Sequence, residues 1–214
     1  VLIVGENPFD AAVILVDGAF GGGQNIAYTL FYATNFIFTG LAVAVAFHGG
    51  LFNIGGEGQA YIAGLGVAIV ALTFDSILPW WLTFPLAIVA AAATGALWAL
   101  VPAYLQAKRG SHIVITTIMF NFIAASAMVY LLVDVLKPAG SMAPQTRTLL
   151  EGAQLPKLNW LLEALGMSVR SAPLNITFLL ALVAAVLVWV LFFRQKTAYE
   201  IRTFGFSTKA ARYA

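Results

Sequence analysis

The sequence contains no cysteine and very little charge. Without thiols it holds no disulfide framework, no zinc site built on thiolates and no cysteine nucleophile. Charged residues make up only 9% of its 214 residues, whereas soluble domains carry about 25%. Between Gly18 and Ala107 the only charged residues are Glu57 and Asp75. A folded surface of this composition cannot face water, so lipid must take the place of the solvent.

Signals of chemistry are missing as well. We find no nucleophile–base pair, no carboxylate dyad and no phosphate-binding glycine loop followed by Lys and Ser or Thr. His48 and His112 lie far apart in sequence and do not indicate a metal site. The net charge of +2 does not indicate a nucleic-acid partner. The sequence therefore predicts no catalytic residue, no metal and no cofactor bound by this chain.

Long apolar runs are what the sequence has in abundance. Hydrophobic residues make up 61% of the chain, and a membrane span needs about 20 of them in succession. A shorter apolar run covers residues 60–74. We therefore predict an all-α, polytopic integral membrane protein with about five spans or partial spans, forming a single transmembrane domain over residues 1–214. Four windows are long enough for full spans: residues 26–47, 82–107, 113–133 and 174–193.

Basic residues predict the orientation. Lys108 and Arg109 separate the second and third long windows, and five more basic residues follow the fourth, from Arg194 onward. Counting spans places both segments on one side, which the positive-inside rule assigns to the cytoplasm. The loop over residues 137–172 then lies outside. By the same parity, residues 7–20 form an outer segment at the membrane interface.

The first segment that could carry a function covers residues 50–59. It combines a glycine cluster with Asn53, Glu57 and Gln59, which indicates a discontinuous or closely packed helix at membrane depth. Its amides either bind a hydroxylated solute or satisfy broken backbone, and for Asn53 we favour the second role. Glu57 lies either beside a solute pathway or at the membrane edge, where an ionised group is less costly.

The second such segment covers residues 110–121. Thr116, Thr117 and Asn121 fall about one turn apart and form a polar stripe, which faces either another helix or a pathway. Phe120 either stacks on a ring of a substrate or packs against a neighbouring helix. Together the two segments give the predicted translocation-path residues: Asn53, Glu57, Gln59, Thr117, Phe120 and Asn121.

The third segment follows the last span. Residues 196–214 change from lipid-like to amphipathic composition, with Gly205 predicted to break a helix and Ser207 predicted to cap a new one near Thr208. A short cytoplasmic helix of this kind either docks a soluble partner or lies on the membrane surface.

At these three segments the sequence resembles the inner-membrane permease subunits of ABC importers for branched-chain amino acids, simple sugars and nucleosides, nearest to the nucleoside subgroup linked to basic membrane lipoproteins. The similarity lies in residues 40–59, 108–124 and 199–214 and covers nearly the whole chain. Two departures stand out: Gly56 replaces the family's usual Ala, and Ser111-His112-Ile113 replaces Asn-Glu-Val.

The resemblance implies a complex of several subunits in a bacterial or archaeal cytoplasmic membrane. Its expected partners are a second permease subunit (identical or different), a cytoplasmic ABC ATPase that uses the ATP, and an extracytoplasmic substrate-binding protein. It also implies further spans before Val1 and after Ala214, so we expect the chain to be an internal piece of a longer permease. The coupling segment, residues 194–214, is expected to contact the ATPase through Tyr199, Glu200, Arg202, Gly205, Ala210, Ala211 and Arg212.

The expected function is ATP-driven import of a small polar solute, with a nucleoside first and a simple sugar second. One alternative is a secondary transporter driven by an ion gradient, in which Glu57 couples the ion. Another is a membrane scaffold that transports nothing.

Overall fold

The structure is a computed structural model that describes residues 5–207, 209 and 211. Within these residues the regular structure is helical apart from one isolated β-bridge between Lys157 and Asn175. The α-helices are α1 (Pro8–Phe20), α2 (Gly23–His48), α3 (Gly56–Phe74), α4 (Trp80–Arg109), α5 (Ile113–Tyr130), α6 (Asn159–Ala164), α7 (Thr177–Arg194) and α8 (Lys196–Phe206).

Five of these helices are long and apolar enough to cross a membrane: α2, α3, α4, α5 with its extension, and α7. This confirms the predicted polytopic, all-α class. The run over residues 60–74 was expected to be short for a span, but α3 begins at Gly56 and has 19 residues, which corresponds to about 28 Å of helix. The glycine cluster therefore lies at the start of a full span. Helix α5 continues as a π-helical turn, Leu131–Val135.

Local sequence sets several helix ends. Asn7 accepts a hydrogen bond from the backbone N–H of Phe9 at 3.0 Å, and Pro8 occupies the first turn, so α1 begins with a side-chain cap. Helix α4 ends where Gly110 adopts a left-handed conformation, with φ at 67°. The N–H groups of Gly110 and Ser111 both reach the carbonyl of Leu105 there.

The described residues group into two compact units. The first comprises Val1–Leu41 and Leu155–Tyr199, although residues 1–4 lie outside the described range. Its core joins the start of α2 to the outer loop and to α6. The buried members of this core are Ala27, Leu158, Leu162, Val169, Ala172 and Leu174.

One amide of the first unit fixes the outer loop to α2. The Oε1 atom of Gln24 accepts from the backbone N–H groups of Arg170 and Ser171 at 3.0 and 3.3 Å, and its Nε2 donates to the carbonyl of Ser171. Gly23 lies beside Met167, where a Cβ would come within 2.7 Å of the methionine Cβ. The first turn of α2 thus requires a small residue next to its amide anchor.

The second unit comprises Ala42–Gln154 and Glu200–Ala214, with α3 packed against α4 and α5. Glycines allow this close packing. A Cβ at Gly66 would come within 2.9 Å of the Ala90 carbonyl oxygen, and one at Gly58 would come within 3.0 Å of the Asn121 Cα. Helix backbones approach this closely in membranes only where side chains are absent.

An ion pair joins the end of α3 to the segment that follows α5. Arg147 donates from Nη1 to Asp75 Oδ2 at 2.7 Å and from Nη2 to Asp75 Oδ1 at 2.9 Å, a bidentate arrangement. The backbone N–H of Leu150 donates to Oδ2, and that of Gly152 donates to the Asp75 carbonyl. The Asp75 side chain is fully buried. The segment after α5 is therefore clasped to the end of α3.

The clasp predicts a dependence of stability on pH. The hydrogen bonds from Arg147 and then Leu150 lower the pKa of Asp75 from 3.8 to about 2. Because the folded-state pKa lies below the ordinary value, the stabilisation is present above pH 3.8 and is lost as the pH falls toward 2. We expect Asp75→Asn to lower the melting temperature in detergent at pH 7 and to flatten the loss of stability below pH 4.

Thermal unfolding followed by tryptophan fluorescence measures both effects. Glu163→Gln, on the exposed part of the outer loop, is the matched control because it removes a carboxylate outside the clasp. If Asp75→Asn melts at the wild-type temperature, and its melting temperature falls below pH 4 as steeply as that of the wild type, the clasp does not stabilise the fold.

Candidate functional site

The two polar segments predicted from sequence meet at the start of α3. Gly55 is buried, and a Cβ there would lie 2.9 Å from Asn53 Oδ1, 3.0 Å from Thr117 Cβ and 3.2 Å from Gln59 Nε2. One turn on, Gly58 faces Phe120 and Asn121. Five of the six predicted path residues therefore surround the first turn of α3. We call these five residues, Asn53, Gln59, Thr117, Phe120 and Asn121, the α3 polar cluster.

Asn121 connects α5 to the backbone where α3 begins. Its Oδ1 accepts from the Gly58 N–H at 2.9 Å, and its Nδ2 donates to the Ile54 carbonyl at 2.9 Å. The Gly58 N–H is one that the first turn of a helix leaves without an intrahelical partner, and the Ile54 carbonyl belongs to the non-helical stretch before α3. The amide of Asn121 thus satisfies both a donor and an acceptor of the α3 start.

Asn53 has the backbone role that its sequence context favoured. Its Oδ1 accepts from the Gly55 N–H at 2.8 Å, forming an Asx turn in the non-helical stretch before α3. Between them, Asn53 and Asn121 supply side-chain partners to backbone that has left the helical ladder. Such backbone is tolerated at membrane depth only where protein or water satisfies it.

Thr117 and Phe120 are also engaged within the chain. The Thr117 hydroxyl donates to the carbonyl of Ile113 at 2.8 Å, and the residue is 1% exposed. The Phe120 ring packs edge-to-face on Trp98 of α4, with centroids 5.3 Å apart. A path role for these residues stays a prediction, since the Thr117 hydroxyl bonds within its own helix and the Phe120 ring contacts a neighbouring helix.

Glu57 differs from the rest. It is exposed, lies in the first turn of α3 and accepts a hydrogen bond from the Tyr61 hydroxyl at 3.1 Å. A carboxylate in the first turn is favoured by the positive end of the helix dipole. This position, at one end of a span, suits the membrane-edge interpretation of the sequence.

The predicted coupling segment contains helix α8. Tyr199 is 50% exposed and Glu200 is exposed, whereas Ala198 is buried. The backbone N–H of Ala211 donates to the Ser207 carbonyl at 3.0 Å. Ala210 and Arg212 lie outside the described residues, as does Thr208.

Gly205 does not break the helix, contrary to the sequence-based prediction. Helix α8 runs through it to Phe206. A Cβ at Gly205 would come within 2.3 Å of the His48 carbonyl oxygen and 2.9 Å of the Gly50 nitrogen. The glycine is explained by close approach to another segment, and an α-helix tolerates a glycine at modest cost.

A cleft of about 220 Å³ opens beside this contact, between the end of α2 and the last turn of α8. Phe206 is almost fully exposed at its edge. The cleft is lined by Phe47, His48, Arg202, Gly205 and Phe206.

Contacts inside each unit agree with the predicted sidedness. Gly205 meets the end of α2, and span counting places both inside. The Asp75–Arg147 pair joins two segments predicted outside. Gln24 and Ser171, also predicted outside, meet in the first unit. If one span had been miscounted, two residues that are in contact would have been assigned to opposite sides of the membrane.

Sequence reasoning missed three contacts: the Asp75–Arg147 clasp, the approach of Gly205 to Gly50, and Trp98 as the neighbour of Phe120. One signal for the clasp was available. Asp75 is one of only two charged residues between positions 18 and 107, and a lone carboxylate beside a span requires a partner. The other two contacts depend on packing between segments distant in sequence.

Five helices of membrane-spanning length, with polar groups collected at one helix start, define a polytopic α-helical membrane protein. The chain belongs to the family described as the permease component of the branched-chain amino acid transport system, whose model matches residues 25–214.

Three relatives are similar to this chain over nearly all of its length. The chain is 34% identical to the guanosine ABC transporter permease protein NupP of Bacillus subtilis over all of its length, and 30% identical to the nucleoside ABC transporter permease protein NupB of Lactococcus lactis, also over all of its length. It is 30% identical to the glucose ABC transporter permease protein TsgB13 of Haloferax volcanii over 97% of its length. It spans 58%, 58% and 54% of these relatives, respectively. No protein of solved structure matches the chain.

The α3 polar cluster predicts a specific effect of removing the Asn121 amide. Asn121→Leu leaves the Gly58 donor and the Ile54 acceptor without their partner, and each unsatisfied buried group costs about 1–3 kcal/mol. We expect a lower melting temperature in detergent. Ser126→Ala, on the same helix, is the control, because the Ser126 hydroxyl bonds only to the carbonyl of Phe122 in its own helix.

Uptake kinetics separate this role from solute binding. An Asn121→Leu protein of wild-type stability with a raised KM for solute would show that the amide serves the solute rather than the backbone.

Proposed function

We propose that this chain is the membrane-spanning part of a permease subunit of an ATP-driven ABC importer. The observation that carries the proposal is the family match over residues 25–214 on a chain with five spans. The named relatives are ABC transporter permeases, so a secondary transporter driven by an ion gradient is not favoured. The chain itself forms part of the solute path and transmits movement from the ATPase, and ATP is hydrolysed by a separate subunit.

The proposed solute is small and polar, with a nucleoside first and a simple sugar second. Two of the relatives are named for guanosine or nucleosides and one for glucose. The scarcity of charge in the spans suits an uncharged solute that offers hydroxyl groups and rings. Amides and aromatic faces recognise such groups without fixed charge.

The proposed assembly contains two permease subunits, a cytoplasmic ABC ATPase and an extracytoplasmic binding protein, in a bacterial or archaeal cytoplasmic membrane. Helix α8 is the segment that meets the ATPase. It is short and exposes Tyr199 and Glu200, and by span counting it lies on the cytoplasmic side. When the ATPases close on ATP, they would shift α8, and the solute path would then open to one side of the membrane and later to the other.

Uptake into proteoliposomes tests the function. The full-length permease is reconstituted with its ATPase and binding protein, and radiolabelled guanosine or glucose is supplied outside with ATP within. We expect uptake that requires ATP, persists with ionophores and stops when the ATPase carries an inactivating substitution. Uptake that continues without ATP but collapses with an ionophore would select the secondary transporter.

Co-purification tests the docking role of α8. Tyr199→Ala removes an exposed aromatic side chain, and such residues often dominate binding at interfaces, at a cost of about 2 kcal/mol or more. We expect the ATPase recovered with the tagged permease to fall, while the permease keeps its melting temperature. Trp160→Ala, an equally exposed aromatic on the outer helix α6, should leave recovery unchanged. Equal recovery for both variants would contradict docking through Tyr199.

A further inference from the structure

The contact between α8 and the turn after α2 is made by backbone on both sides. A Cβ at Gly205 would lie 2.3 Å from the His48 carbonyl oxygen and 3.0 Å from the Gly49 carbonyl carbon. In the other direction, a Cβ at Gly50 would lie 3.0 Å from both the Cα and the carbonyl oxygen of Gly205. The two segments therefore touch without side chains between them.

The turn on the α2 side is a defined structure. Gly50 has a φ of 72°, in the left-handed region that favours glycine. Its N–H donates to the Phe47 carbonyl at 3.0 Å, and the N–H of Leu51 donates to the Ala46 carbonyl at 3.0 Å. This pair of bonds is a Schellman motif, which fixes the chain as it leaves the helix. The turn is held to the end of α2 and cannot slide along it independently.

Only a short link separates this turn from the α3 polar cluster. After Leu51 the chain runs through Asn53, whose side chain caps the Gly55 N–H, and α3 begins at Gly56. Asn121 holds the same stretch through the Ile54 carbonyl. A displacement of the turn is therefore carried within a few residues to the cluster.

We propose that Gly49, Gly50 and Gly205 form a rigid backbone joint through which α8 and the α2–α3 turn move as one body during the transport cycle. The joint delivers movement of the coupling segment to the start of α3 and so positions the α3 polar cluster. Direct backbone contact suits this role, because close-packed atoms have low compressibility and transmit displacement without the slack of flexible side chains. The inference rests on the proposed function.

A disulfide across the joint provides the test. A Cβ at Gly49 would lie 3.6 Å from Ile201 Cγ2, so Gly49→Cys combined with Ile201→Cys places two thiol side chains next to each other, where a disulfide can be tested. The 214 residues contain no native cysteine to compete. The full-length permease is reconstituted with its ATPase and binding protein and is then oxidised. Formation of the disulfide, here called closure, is measured as loss of maleimide labelling of the two cysteines. The two single-cysteine variants are the matched controls for the substitutions themselves.

A rigid joint predicts that locking it changes little. We expect the disulfide to close at the same rate in the resting and the vanadate-trapped complex. We also expect the locked complex to import solute within about twofold of the reduced complex, because one body moves in both cases. The proposal is overturned if the disulfide does not form, if it closes in only one of the two states, or if uptake is lost on oxidation and restored by reductant.

A glycine substitution in the double-cysteine background adds a readout that is independent of transport. Gly205→Ala introduces a Cβ that overlaps the His48 carbonyl, which forces α8 away and should slow closure about tenfold or more. Gly64→Ala, in α3, has open space around it and should not change the rate. Equal closure rates for the two variants would contradict the joint.

These assays separate the inference from the function it rests on. If the reduced complex imports no solute with ATP, the proposed function fails, but the rates of disulfide closure still test whether the joint is rigid. If ATP-driven import is present and the locked complex is inactive, the function stands and the rigid joint is wrong.

Discussion

The rest of the structure depends on satisfying backbone polar groups where the chain leaves a helix. A buried N–H or C=O that lacks a helical partner needs one from the rest of the protein or from water. This need arises between α2 and α3 and in the first turn of α3, over residues 51–58. Asn53 and Asn121 meet it with three hydrogen bonds of 2.8 to 2.9 Å. The position and direction of α3 follow from those amides.

Glycine has a consistent role in these contacts. At Gly58 and Gly66 it lets α3 approach the backbone of α5 and α4, and at Gly205 it lets α8 approach the turn at Gly50. Each position carries a neighbour that any Cβ would displace. The same property links packing to function, because contacts between backbones leave little freedom for the parts to move separately. The proposed import mechanism requires such a connection between the coupling segment and the spans.

Charged residues are few, and the one at the end of α3 has a structural role. The Asp75 side chain is completely buried, yet it is ionised because the Arg147 guanidinium and the backbone N–H of Leu150 donate hydrogen bonds to its carboxylate. Its low pKa and its clasp have the same cause. Glu57, the other charged residue between positions 18 and 107, lies in the first turn of α3, where the helix dipole offsets part of the cost of its charge.

The sequence by itself determined the class of protein, the number of spans, the positions of most helix ends to within a few residues, and the family. The class and the spans follow from the length of the apolar runs, and the family follows from the segments over residues 40–59, 108–124 and 199–214. Tertiary structure alone decided that Asn121 bonds to Gly58, that Asp75 pairs with Arg147 and that Gly205 lies inside α8 against Gly50. Those contacts join residues 63 to 155 positions apart. Because residue periodicity records only which face of a helix is apolar, it cannot specify which distant backbone that face will meet.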